Sequence, residues 1–135
     1  MDVKRLWLGL FGLFVNHQKL PRNSTVYVAI DRTTWGEINL LMVSLIWRKR
    51  AIPLYWQRLE TLGNSNLKMQ QRVLKQALRA LSDYKVVVLG DREFCSVDLA
   101  RWLGEQKAYF CLRQKKSTHI QPEDEDWIAL GQLGL

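Results

Sequence analysis

Runs of apolar residues, parted by turn-forming polar ones, divide the chain into short elements. Val26-Tyr-Val-Ala-Ile30 is brief, β-branched and apolar, bounded by the turn-rich Pro21-Arg-Asn-Ser-Thr25 and by Asp31. It reads as a buried strand. Ile38 to Trp47 is nearly continuous in apolar residues, Arg48-Lys49-Arg50 offers a polar tight turn, and Ala51 to Gln57 resumes the pattern. Those three segments predict a hairpin. Pro53 has no N–H to give to a ladder, which places its strand at the edge of the sheet. Lys85-Val-Val-Val-Leu89 shows no polar alternation, so burial on both faces is expected before it ends at Gly90-Asp91. Ala108 to Leu112 is a last strand, left through Arg113-Gln-Lys-Lys116.

Between these strands the period changes to that of a helix. Leu67, Leu74, Leu78 and Leu81 fall on one helical face with Val73 and Ala77 beside them, and Gly63-Asn-Ser-Asn66 supplies the loop and an N-cap. Arg72, Lys75 and Arg79 project elsewhere, as a solvated face. Ser96 can cap a further helix that buries Leu99, Trp102 and Leu103, with Asp98 favourable at the positive end of its dipole. The resulting order, βββαβαβ, predicts an α/β domain built on a mixed sheet.

At 135 residues the chain suits one domain. The pattern divides it into a helical segment and turn over 1–25, a core over 26–119, and a tail over 120–135. Within the tail Glu123-Asp-Glu-Asp126 and Gly131-Gln-Leu-Gly134 read as a linker or the start of a truncated insertion. Leu6 to Val15, an apolar run behind Lys4 and Arg5, is read as a helix from a larger packing context, with a membrane anchor as the alternative. No small-residue cleavage site follows it, and ten apolar residues are about half of the ~20 needed to cross a bilayer.

Composition sharpens this picture at two points. Apolar residues make up 47% and charged residues 24%, which excludes disorder for most of the chain. The net charge of +7 hides an asymmetry: residues 1–120 hold all 20 Lys and Arg against nine acids, a balance of +11. Such an excess favours polyanions, and nucleic acid first. Cys95 and Cys111 form neither a CxxC pair nor a zinc pattern, so a reducing cytoplasm is the expected compartment.

Chemistry is suggested by Asp31 and Asp91, each read as standing just after an apolar strand. If those strands are parallel neighbours, both carboxylates leave the sheet at one rim. There they repel unless protonated, paired or bound to a cation, and hard oxygen ligands on an open edge suit Mg²⁺. The alternative is that either residue only caps a turn. His17 and His119 are isolated, Glu37 reads as a strand starter, and Glu93 as a complement to a helix dipole.

Several blocks in order resemble the DDE transposases of bacterial insertion-sequence family four, the cyanobacterial kind especially. They are Tyr27-Val-Ala-Ile-Asp-Arg-Thr-Thr-Trp35, Ile38 to Trp47, Pro53-Leu-Tyr-Trp56, Val86-Val-Val-Leu-Gly-Asp-Arg-Glu-Phe94 and Phe110-Cys-Leu-Arg-Gln-Lys-Lys116. The resemblance implies a ribonuclease-H-like fold, incomplete at its C-terminal side, with Asp31 and Asp91 as the first two catalytic, metal-binding carboxylates. It also implies Mg²⁺ (or Mn²⁺) as cofactor, and transposon ends and target DNA as partners, with an intact transposase or a second copy as further ones. The family's third carboxylate stands in a Tyr-x-x-Arg-x-x-x-Glu motif, which this sequence lacks: Tyr55 and Arg58 have the first spacing, but Leu62 stands where Glu would be. The expectation is therefore a DDE transposase fragment, inactive alone, with a non-catalytic DNA- or transposase-binding remnant as the alternative. Arg32, Arg92, Lys115 and Lys116 are the basic residues expected nearest the catalytic edge, where they would contact phosphate. Trp35, Trp47 and Trp56 are expected to pack in or near the core.

Overall fold

The apolar runs become strands and the amphipathic ones helices in the computed structural model, which describes residues 2–123 and 126–132. Asp124 and Glu125 of the acidic cluster, and Leu133 and Gly134 of the tail, lie outside the described residues. Helix α1 spans Val3–His17, and strands β1 (Thr25–Trp35), β2 (Ile38–Trp47) and β3 (Arg50–Leu59) follow as a meander. Helix α2 (Leu67–Ala80), strand β4 (Lys85–Gly90), helix α3 (Val97–Glu105) and strand β5 (Tyr109–Leu112) complete the main body.

One five-stranded sheet results, in the order β3-β2-β1-β4-β5. β1, β2 and β3 pair antiparallel, while β4 runs parallel to β1 and β5 parallel to β4. The parallel pairs need crossovers, and α2 and α3 supply them. This is the α/β architecture with a mixed sheet that the strand and helix order predicts.

Because side chains alternate along a strand, the burial pattern assigns each face of the sheet. Val26, Val28 and Ile30 of β1, Leu41, Val43 and Leu45 of β2, and Val86 and Val88 of β4 are buried together with Phe11 and Val15 of α1, Val73, Leu74 and Ala77 of α2, and Leu99 and Leu103 of α3. That is the helix-covered face. The opposite face carries Tyr27, Ala29, Asp31, Met42, Val87, Leu89, Tyr109 and Cys111, all exposed or only half-buried. So β4 is not buried on both sides as its unbroken apolar run suggests. Val87 and Leu89 face a side that no helix covers among the described residues.

β3 is an edge strand, as Pro53 requires. Leu54 is an extra residue opposite the Val43/Ser44 step, a β-bulge whose side chain is fully buried. α1 closes this edge: Trp7 Nε1 donates to the Pro53 carbonyl at 2.8 Å, and its ring meets Trp56 edge-on with centroids 6.4 Å apart. α1 is capped by Asp2, which accepts from the amides of Lys4 and Arg5, and is 15 residues long. Among the described residues no helix is long and apolar enough to cross a membrane.

Three other expectations change. β1 does not stop at Asp31, since Asp31 to Trp35 pair with Met42 to Ile38 and the hairpin outruns the parallel ladder to β4 by five residues. Trp35, at the tip of that arm, is 80% exposed rather than packed, whereas Trp47 and Trp56 are half-buried. In the tail, read as linker, His119–Ile120 (β6) pairs antiparallel with Ile128–Ala129 (β7) in a small separate sheet.

Candidate metal centre at the carboxyl rim

The geometry of the site begins with the register between β1 and β4. Ile30 lies across the parallel ladder from Gly90, and the next residue on each chain is an aspartate. Both Asp31 and Asp91 are exposed. They line one cleft of about 580 Å³ with Ala29, Ile30, Leu89, Gly90, Cys111 and Arg113. The carboxylates thus emerge at the same rim, as their places in the sequence imply, with the difference that Asp31 sits inside a strand that continues past it.

Each carboxylate is steadied by its own backbone. Asp31 Oδ1 accepts from the Arg32 amide at 2.8 Å. Asp91 Oδ1 accepts from the Glu93 amide at 2.9 Å, capping a single 3₁₀ turn over Arg92–Phe94. Gly90 is required by close approach: a Cβ there would lie 2.9 Å from Leu112 Cδ2, 3.0 Å from Phe94 Cβ and 3.4 Å from Ile30 Cγ2. Phe94 is fully buried and anchors the turn that carries Asp91.

Alternation sends Arg32 to the other side of β1 from Asp31, and there it enters a polar network. Arg32 Nε donates to Glu93 Oε1 at 2.7 Å, Nη1 to Thr34 Oγ1 and Asn39 Oδ1 at 3.2 and 3.3 Å, and Nη2 to Asn64 Oδ1 at 3.3 Å. Glu93 Oε2 accepts from the Ser65 amide and hydroxyl at 3.3 and 2.8 Å. Asn39, fully buried, donates to the carbonyls of Thr61 and Gly63 at 2.9 and 3.0 Å. Gln70, also buried, donates to the Ser65 hydroxyl at 3.1 Å. Among the described residues no buried side-chain N or O atom lacks a partner.

The remaining residues singled out from sequence are distributed around the rim and beyond it. Arg92 is exposed directly after Asp91, and Lys115 and Lys116 are exposed in the segment that leaves β5. Arg113, which the sequence offered only as the start of that exit, lines the cleft because its amide bonds the Gly90 carbonyl at 2.9 Å. Its position depends on β5 pairing with β4, which no local signal announces. Glu37 is exposed in the β1–β2 turn, and His17 and His119 lie in separate elements.

Two carboxylates on an open rim fit a hard divalent cation, since Mg²⁺ is commonly held by one or two carboxylates together with substrate phosphates and water. Among the described residues no group of three or more His, Cys, Asp or Glu could hold a metal ion. Among the described residues the donor set is therefore a pair, with Glu93 already engaged by Arg32 and Ser65.

The sequence matches the profile of the transposase DDE domain over residues 39–128, about two thirds of the chain. The chain belongs to the transposase DDE domain family. The matched stretch runs from β2 through β7 and includes Asp91, while Asp31 precedes it on β1. The five-stranded mixed sheet, in its observed order, is of the ribonuclease-H-like kind on which such domains are built. Transposition of DNA with the help of divalent metal is the activity of the family. No curated protein matches the sequence.

Proposed function

We propose that Asp31 and Asp91 are the first two metal-binding, catalytic carboxylates of a DDE transposase of the insertion-sequence type, family four, and that these 135 residues do not cleave DNA on their own. The observation that carries the reading is the register Ile30 to Gly90, which brings two aspartates to one rim and one cleft. A bound Mg²⁺ or Mn²⁺ would polarise a phosphodiester and activate the attacking water or 3′-hydroxyl. The chain's own part is to hold the cation through Asp31 and Asp91 and to seat phosphates on nearby cations. Arg92, Arg113, Lys115 and Lys116 are the candidates for that contact, which positions DNA without reading its sequence. Arg32 drops out of this group, because four of its five donors are occupied within the protein.

Inactivity alone follows from the size of the donor set. With two carboxylates and no third acid in reach among the described residues, both affinity and geometry for a metal pair are weakened. Incubating the purified chain with Mg²⁺ or Mn²⁺ and transposon-end DNA tests this. No nicking is expected, and robust nicking contradicts it.

A second reading is a binding remnant that engages DNA, an intact transposase or a second copy without cutting. The balance of +11 over residues 1–120 favours it. In either form the chain would meet its partners in the cytoplasm, the compartment expected from two cysteines that form no disulfide.

A further inference from the structure

The backbone amides that steady the two aspartates belong to Arg32 and Glu93 themselves: Arg32 N–H donates to Asp31, and Glu93 N–H donates to Asp91. These same two residues join side chain to side chain at 2.7 Å, across 61 positions of sequence. The ion pair is substantially shielded, with side-chain exposures of 23% for Arg32 and 11% for Glu93. It is also hydrogen-bonded beyond itself, to Asn39 and Asn64 on the Arg32 side and to Ser65 on the Glu93 side. A shielded pair with its spare donors and acceptors filled is rigid, and loss of one partner strands the other charge.

From this arrangement we infer that Arg32 and Glu93 form a clasp behind the sheet that fixes the separation and orientation of Asp31 and Asp91. They are positioning residues: neither faces the cleft, and each acts through the carboxylate its own amide holds. The clasp also explains why the loop between β3 and α2 is drawn to this rim. Asn39 binds the carbonyls of Thr61 and Gly63, Asn64 binds Arg32, and Ser65 binds Glu93, so the loop serves as the third wall of the clasp. The open β1–β4 strand ends cannot hold their spacing by ladder bonds, because their pairing stops at Ile30 and Gly90. A brace beyond the last pair supplies what the ladder does not.

As a role in metal binding, the inference rests on Asp31 and Asp91 being a metal pair, and its test separates the two ideas. Arg32→Ala, Glu93→Ala, the double variant and the conservative Glu93→Gln are made in the full 135-residue chain. Amide hydrogen exchange and Mn²⁺ affinity by electron paramagnetic resonance are then measured on each. The clasp requires crossed effects: Arg32→Ala must speed exchange at the Glu93 amide, and Glu93→Ala must speed it at the Arg32 amide. Mn²⁺ affinity must fall by about tenfold or more in both, as outer partners of metal ligands commonly cost. The double variant must be no worse than either single, because the two act as one unit. Glu93→Gln must fall between, since its amide oxygen still accepts from Arg32 while its nitrogen cannot accept from Ser65. Exchange that changes only at the substituted residue overturns the clasp, whatever the metal does. Crossed exchange with unchanged Mn²⁺ affinity reduces the pair to a loop brace and overturns the positioning role. Crossed exchange in a chain whose unaltered form binds no Mn²⁺ removes the metal reading and leaves the clasp standing.

Discussion

Ile30 of β1 lies across the parallel ladder from Gly90 of β4, and the chain turns from apolar to acidic at the next residue on both strands. Their packing is tight, with Ile30 Cγ2 3.4 Å from where a Gly90 Cβ would stand, and Phe94 Cβ and Leu112 Cδ2 closer still. The rim that presents Asp31 and Asp91 is thus built on a close approach in which any side chain at position 90 would have to displace Leu112 and Phe94.

Gly90→Ala is accordingly expected to destabilise the fold by ~1–3 kcal/mol, the usual cost of overpacking a tight site. Gly104→Ala in α3 serves as the control. Nothing lies within 4 Å of its added methyl, and the better helix propensity of Ala should raise stability by up to ~1 kcal/mol. Urea unfolding of both variants checks the pair, and equal effects would contradict the packing account.

The β2–β3 turn offers a gain. Arg48 and Lys49 both adopt positive φ, 48° and 65°, in a two-residue hairpin loop. That geometry favours Asn-Gly, and non-glycine residues hold it under strain. Lys49→Gly should stabilise the chain by about 0.5–1 kcal/mol, as relief of left-handed strain outweighs added chain entropy. Thermal melts read this directly, and a lower Tm would argue against it.

Asn39 is a buried polar residue whose amide binds two loop carbonyls and whose oxygen receives Arg32. Asn39→Leu leaves those groups without it, at a cost of ~1–3 kcal/mol. Faster hydrogen exchange across residues 61–66 should accompany the loss. An unchanged loop would show that the network is decorative.

Much of this architecture can be read from the residues themselves. The strand and helix order follows from β-branched runs and helical periodicity, Asn66 and Ser96 cap the helices as their positions suggest, and Pro53 marks an edge. What is hidden depends on pairing distant in sequence. The arm from Asp31 to Trp35 is polar, and only its partner in β2 makes it a strand. The Arg32–Glu93 bond joins residues that no periodicity relates, and the half-exposed Val87 and Leu89 look like core until the sheet is seen to carry no helix over them among the described residues. The two aspartates are legible because each directly follows an apolar run; the network that holds them is not.

Binding to DNA should be largely electrostatic. Affinity is expected to fall linearly with the logarithm of salt concentration, and replacing Arg113, Lys115 and Lys116 by Ala should flatten that slope by about one for each phosphate no longer neutralised. A slope unaltered by all three replacements would place the DNA elsewhere on the basic surface.

The central claim is that Asp31 and Asp91 share a divalent cation, and Mn²⁺ titration of the chain followed by electron paramagnetic resonance tests it most directly. Binding that is abolished alike by Asp31→Asn and by Asp91→Asn, with Tm little changed, is the predicted result. Mn²⁺ binding that survives either substitution unchanged would contradict it.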